Sequence, residues 1–185
     1  LHAGQIQGFF DMPVDNLFTT PLFAKYIKRK LKSKNLICVS PDVGGVQRTR
    51  GLATRIKADL AIIDKRRPKP GQSKVMNIIG NVRGKTCIIV DDIIDSGGTI
   101  VNAAEELKKQ GAADVYVFIT HAVLSKDAAS KISKSKVKKL IITDSIDNAQ
   151  KIKNNKKIEV LSISQLMAEA IKRISNSTSV SDLFN

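Results

Sequence analysis

A chain of 185 residues with 42% hydrophobic composition, no Trp and 4% aromatics buries one sizeable aliphatic core, or one domain and part of another. Its 31 Lys and Arg outnumber 17 Asp and Glu, and a net charge of +14 suits polyphosphates or nucleic acid; the lysines are scattered without a binding motif or aromatic platform, so nucleic acid is not expected. No apolar run nears the roughly 18 residues of a membrane span and no signal-peptide pattern opens the chain, so no membrane partner is expected and a cytoplasmic location is.

The first residues, Leu1 to Asp11, lack an initiator Met and reach Phe9 and Phe10 almost at once, which suggests a piece of a longer protein. Pro21 opens an amphipathic helix with Leu22, Phe23, Tyr26, Ile27 and Leu31 inward and Lys25, Lys28, Arg29, Lys30 and Lys32 outward. Leu36 to Val39 is a short buried strand that runs into Ser40, Pro41, Asp42, Val43, Gly44 and Gly45. Such a loop offers backbone donors to a diphosphate while Asp42 holds a cation, although Pro and Gly also mark ordinary turns. A helix follows from Arg48 to Lys57, with Leu52, Ala53 and Ile56 available for burial. After the strand Leu60 to Ile63, Asp64, Lys65, Arg66 and Arg67 precede two prolines and Gly71. This run reads either as a solvated turn or as a mobile loop that closes over a polyphosphate and delivers cations to it.

Val75 to Ile79 is a short extended piece, and Gly80 to Lys85 turns into the central stretch, Cys87 to Thr99. Cys87, Ile88, Ile89 and Val90 form an apolar run suited to burial on both faces, and Cys38 and Cys87 read as reduced core thiols. Asp91 and Asp92 follow where that strand would end, then Asp95, Ser96, Gly97, Gly98 and Thr99, and from Ile100 the pattern is helical. Glycines and a helix N-terminus suit a phosphate, while the paired acids suit sugar hydroxyls or a hydrated divalent metal. The plainer reading is a buried strand with Asp95 as a helix N-cap. Gly111 stops the helix, Val115 to Thr120 is another buried strand, and His121 at its end reads as structural. Residues 126 to 157 are lysine-rich around one strand, Leu140 to Thr143. Ile158 to Ile163 and a helix whose Leu166, Met167, Ala170, Ile171 and Ile174 pack inward complete the core. The ending, Ser177 to Phe184, reads on its own as a frayed tail.

The Cys87 to Thr99 stretch resembles the signature of type I phosphoribosyltransferases, which implies an α/β fold: a doubly wound parallel sheet with helices on both faces. LHAGQIQGFFDMPVDNL, SPDVGG, DKRRPK and the SVSDLF ending resemble, in order, motifs of the ribose-phosphate diphosphokinases. That resemblance implies joining ATP to ribose 5-phosphate, with Mg2+ as cofactor, to give phosphoribosyl pyrophosphate and AMP. Asp91, Asp92, Asp95, Ser96, Gly97, Gly98 and Thr99 would hold ribose 5-phosphate, and Asp42, Val43, Gly44 and Gly45 the pyrophosphate. His2 and Asp42 would serve the metal, Lys65 and Arg67 the transition state, and Ser179, Val180 and Ser181 a regulatory phosphate.

The resemblance also implies a homo-oligomer in full-length form and an amino-terminal half that supplies most of the adenine pocket. Residues 1–20 are then the remnant of that half, 21–160 a phosphoribosyltransferase-like domain and 161–185 a C-terminal helix and tail. Little activity is expected of this chain alone. A single-domain nucleobase phosphoribosyltransferase would need a base-binding hood, which residues 1–20 do not supply. A non-catalytic regulatory subunit would have lost the catalytic cations, yet Lys65 and Arg67 are present.

Overall fold

The computed structural model describes residues 2–31, 35–66 and 75–184. Seven strands form one sheet in the order β3-β2-β1-β4-β5-β6-β7. They are β1 (Leu36–Ser40), β2 (Asp59–Arg66), β3 (Val75–Ile79), β4 (Thr86–Ile94), β5 (Asp114–Ala122), β6 (Lys139–Thr143) and β7 (Ile158–Leu161). Every neighbouring pair is parallel except β2 and β3, which run antiparallel at one edge.

Apolar runs such as Cys87 to Val90 arise because this sheet is covered on both sides. Helices α1 (Thr20–Lys30) and α2 (Val46–Ile56) bury Phe23, Ile27 and Leu52 with Cys38, Ile88, Val90 and Phe118 on one face. Phe118 meets Phe23 at a centroid distance of 5.4 Å and Tyr26 at 5.7 Å, contacts worth about 0.5–1.5 kcal/mol each beyond the area they bury. Helices α3 (Gly98–Lys109) and α4 (Ala128–Lys134) bury Ile100, Leu107 and Ile132 with Ile89, Val117 and Ile142 on the other face. Both cysteines are free and buried, and burial pushes each thiol up to about 12.

Four local expectations change. First, β4 does not stop at Val90. It continues through both acids to Ile94, because β5 keeps pairing with it there after β1 has turned away at Ser40. Second, β2 extends past Ile63 through Lys65 and Arg66, whose backbones pair with Met76 and Val75 of the antiparallel edge strand. The rest of the cationic run, Arg67 included, lies outside the described residues.

Third, the apolar side of α6 (Ser164–Ser175) is not packed as expected. Only Ala170 is buried, and Met167, Ile171 and Ile174 are exposed, since the helix follows the edge strand β7 rather than lying over the sheet centre. Fourth, the tail is not frayed: Ser181–Phe184 forms a 3-10 turn, with the Phe184 ring 5.5 Å from that of Phe18 and its carbonyl accepting from Arg55.

Candidate functional site

Strand order reverses between β1 and β4. From β1 the chain crosses through α2 to β2 on one side, and from β4 it crosses through α3 to β5 on the other. A crevice opens at such a switch point, outside the carboxyl ends of the strands. Both glycine loops leave their strands at this edge.

In the first loop, Ser40 Oγ donates to the Asp42 carbonyl at 2.6 Å, and Gly45 N–H donates to Asp42 Oδ1 at 2.9 Å. A Cβ on Gly45 would sit 3.0 Å from Ser40 Oγ, so the close turn requires glycine there. Asp42, Val43 and Gly44 are exposed and Gly45 is buried.

The second loop is left open. Gly97 precedes α3 at φ +75°, a left-handed conformation natural to glycine, and no side chain caps the helix. Asp95 is therefore not the N-cap, and its carbonyl instead accepts from Ser125 N–H at 3.2 Å. The first backbone donors of α3 thus point to the crevice edge uncapped, with Asp95, Ser96 and Thr99 exposed around them.

Beside these loops, Asp91 and Asp92 share one cation. Arg48, on the first turn of α2, reaches Asp91 Oδ1 at 2.5 Å with Nη1 and Asp92 Oδ2 at 3.0 Å with Nη2. His2 Nδ1 also lies 2.6 Å from Asp92 Oδ2, which ties the N-terminal segment to the sheet. Burial and a hydrogen bond with Asp92 push the Asp91 carboxyl up to about 6, although Arg48 opposes this. Burial pushes Asp92 upward too, but the His2 hydrogen bond and Arg48 charge outweigh it and hold Asp92 below its ordinary value. The pair thus divides its titration: one acid takes the proton more readily and the other stays ionised. Asp92 Oδ1 is buried without a hydrogen-bond partner.

A cavity of about 560 Å3 brings together His2, Gly44, Arg48, Asp92, Thr120 and His121. Loop 95–99 does not line it, so the phosphate-type loop and the cavity are separate parts of one edge. Arg48 went unnoticed in the sequence because only folding brings the first turn of α2 to the end of β4. Its signal, an Arg three residues after the glycine pair, is weak. Lys65 lies on β2 by its backbone, and Arg67 and the rest of that motif fall outside the described residues.

Ser179 Oγ and Ser181 Oγ lie 2.8 Å apart, and Arg173 donates to the Ser179 carbonyl at 2.7 Å. The edge-to-face partner of Phe184, Phe18, lines the cavity, so the tail rests against the cavity wall.

Among the described residues, no group of three or more His, Cys, Asp or Glu side chains stands close enough to cage a metal. Magnesium needs no such cage, since it keeps waters and commonly binds through one or two carboxylates and the phosphates of a substrate. The donor set, including the unpartnered Asp92 oxygen, fits an ion brought in that way.

A family model described as phosphoribosyl synthetase-associated domain matches residues 65–185. The chain belongs to that family. Ribose-phosphate pyrophosphokinase of Bradyrhizobium diazoefficiens is 56% identical over 185 residues, an alignment that covers 100% of this chain and 58% of the relative. Among solved structures, phosphoribosylpyrophosphate synthetase from Mycobacterium smegmatis superposes with a TM-score of 0.87 at 36% identity, covering 96% of this chain and 57% of that one. An adenine phosphoribosyltransferase, at 22% identity and a TM-score of 0.51 over 60% of this chain and 72% of that one, shares the fold alone. This member of the phosphoribosyl synthetase-associated family thus spans just under 60% of the length of these two synthetase relatives. No described helix is long and apolar enough to cross a membrane.

Proposed function

We propose that the chain is the carboxyl-terminal part of an enzyme that transfers the diphosphoryl group of ATP to the 1-hydroxyl of ribose 5-phosphate, giving phosphoribosyl pyrophosphate and AMP. The observation that carries this reading is the uncapped N-terminus of α3 beside the Asp91–Asp92 pair, at the edge where the Asp42–Gly45 loop also ends. Asp95 to Thr99 hold the 5-phosphate through backbone donors, and Asp91 and Asp92 accept from the ribose hydroxyls. Arg48, poised between the acids and the first loop, aligns the acids and offsets negative charge in the crevice.

Phosphoryl transfer asks mainly for positioning and charge stabilisation, and Lys65 and Arg67 bring cations to the transferring group. Asp42 and His2 would hold magnesium; with Asp42 Oδ1 committed to Gly45, Oδ2 is left for this task. Magnesium, when bound, neutralises diphosphate charge. Ser179 and Ser181, exposed beside Arg173 on either side of the half-buried Val180, would hold a regulatory phosphate. In the full-length form, a homo-oligomer, the remaining length supplies the adenine pocket, so this chain alone makes little product.

Calorimetric titration with ribose 5-phosphate and magnesium, followed by ATP, tests the reading. Sugar-phosphate binding that is lost in Asp95→Ala, with weak ATP binding, is the expected result. No sugar-phosphate binding, or vigorous ATP-dependent synthesis by the chain alone, would contradict it.

A further inference from the structure

His121, the penultimate residue of β5, stands in register with Ile93 of β4 and lines the cavity with His2, Arg48 and Asp92. Its ring is held from behind, with Nδ1 3.0 Å from Ser145 Oγ. Ser145 is itself fixed: its hydroxyl donates to the Thr120 carbonyl at 2.9 Å, and its N–H donates to Thr143 Oγ1 at 3.3 Å. A serine hydroxyl has one proton. With that proton directed at Thr120, Ser145 meets the imidazole as an acceptor, so Nδ1 carries a hydrogen. Burial lowers the pKa of His121, which favours the neutral ring, although the charge of Asp92 works the other way. A neutral imidazole protonated on Nδ1 has its lone pair on Nε2.

Of the nearby carboxylate oxygens two are committed, whereas Asp92 Oδ1 has no partner. Asp92 Oδ2 accepts from Arg48 and His2, and Asp91 Oδ1 accepts from Arg48 and from the Asp92 N–H. Among the described residues, nothing bonds His121 Nε2. We propose that His121 is a further ligand-binding residue of this site, whose Nε2 accepts a hydrogen bond from a hydroxyl of the sugar phosphate. This inference rests on the sugar-phosphate reading above. It adds to a cavity also lined by Gln7, Gln47, Arg48 and Asp92 an imidazole acceptor whose direction is set by three hydroxyl-bearing residues, Thr120, Thr143 and Ser145.

The chain has two histidines, so 15N spectra of the labelled chain resolve each ring. Without ligand, His121 should show a protonated Nδ1 and a bare Nε2, and ribose 5-phosphate should shift the Nε2 resonance upfield. Ser145→Ala should erase the preference for Nδ1–H. By calorimetry, His121→Phe should weaken ribose 5-phosphate about 3- to 10-fold, the range of one neutral hydrogen bond, while His121→Gln, which keeps an acceptor near Nε2, stays within about 2-fold. A protonated Nε2 in the unliganded chain, or unchanged binding by His121→Phe, would overturn the inference and leave the functional reading standing. Absence of sugar-phosphate binding in the parent chain would remove both.

Discussion

The loop after β1 and the loop after β4 each carry an acid and two glycines from a buried strand into a helix, yet Gly45 enters α2 at φ −80° and Gly97 enters α3 at φ +75°. In the first, the Asp42 carboxylate occupies the Gly45 amide. In the second, Asp95 leaves the helix end uncapped and its amides available. Two loops of similar composition therefore differ in what they leave for a ligand. Both helices start without a side-chain cap, but in the first loop the chain's own carboxylate takes the Gly45 amide, whereas in the second no side chain takes the amides at the helix start. Arg48, one turn into α2, links the two by reaching the acids of β4.

Breaking that link should have the largest effect. Arg48→Met leaves two partly buried carboxylates facing each other, and we expect a loss of about 2–3 kcal/mol in urea unfolding at pH 7, below the range for fully buried pairs because Arg48 is partly exposed. The acids themselves sharpen the picture through pH. Folding raises Asp91 from an ordinary 3.8 to about 6, so within that window the folded chain binds more protons and stability falls as pH rises. Asp91→Asn cannot ionise, and it should gain about 1–2 kcal/mol on the parent chain between pH 4.5 and pH 7. A stability difference that does not change with pH would mean that burial does not raise Asp91.

The glycines separate next. Gly97→Ala forces a Cβ into the left-handed region and should cost about 1–2 kcal/mol, whereas Gly98→Ala, with nothing within 4 Å of the added carbon, should cost under about 0.5 kcal/mol. The smallest effect belongs to the closed loop. Asp42→Asn keeps an acceptor for Gly45 N–H and should be nearly neutral, while Asp42→Ala loses about 1 kcal/mol with that bond. Thermal unfolding of the four variants orders them.

Much of this architecture was legible in the chain because a sheet covered on both faces demands continuous apolar strands. Leu36 to Val39, Cys87 to Val90 and Leu140 to Thr143 show that demand directly. The reading failed where pairing rather than composition decides. The acids of β4 stay in the strand because β5 pairs with them, and Lys65 and Arg66 stay in β2 because an antiparallel edge strand does. Short α4 and α5 (Ala149–Ile152) were hidden in lysine-rich sequence with few apolar residues to set a period.

At the site, the glycine loops and the acid pair were visible as motifs. Arg48 was not, since its reach to the acids depends on contacts across the sheet edge, and His121, legible at its strand's end, reads there as structural because its cavity neighbours come from distant parts of the chain. The exposed stripe of α6 was misjudged because spacing marks an apolar face without saying what covers it.

The contrast between the two loops is tested most directly by amide 15N–1H spectra of the chain titrated with ribose 5-phosphate. If the open helix end is the phosphate site, the largest shifts fall on the amides of Gly97 to Ile100, and those of Gly44 to Val46 move little. The largest shifts at Gly44 to Val46, or none at either loop, would contradict the account.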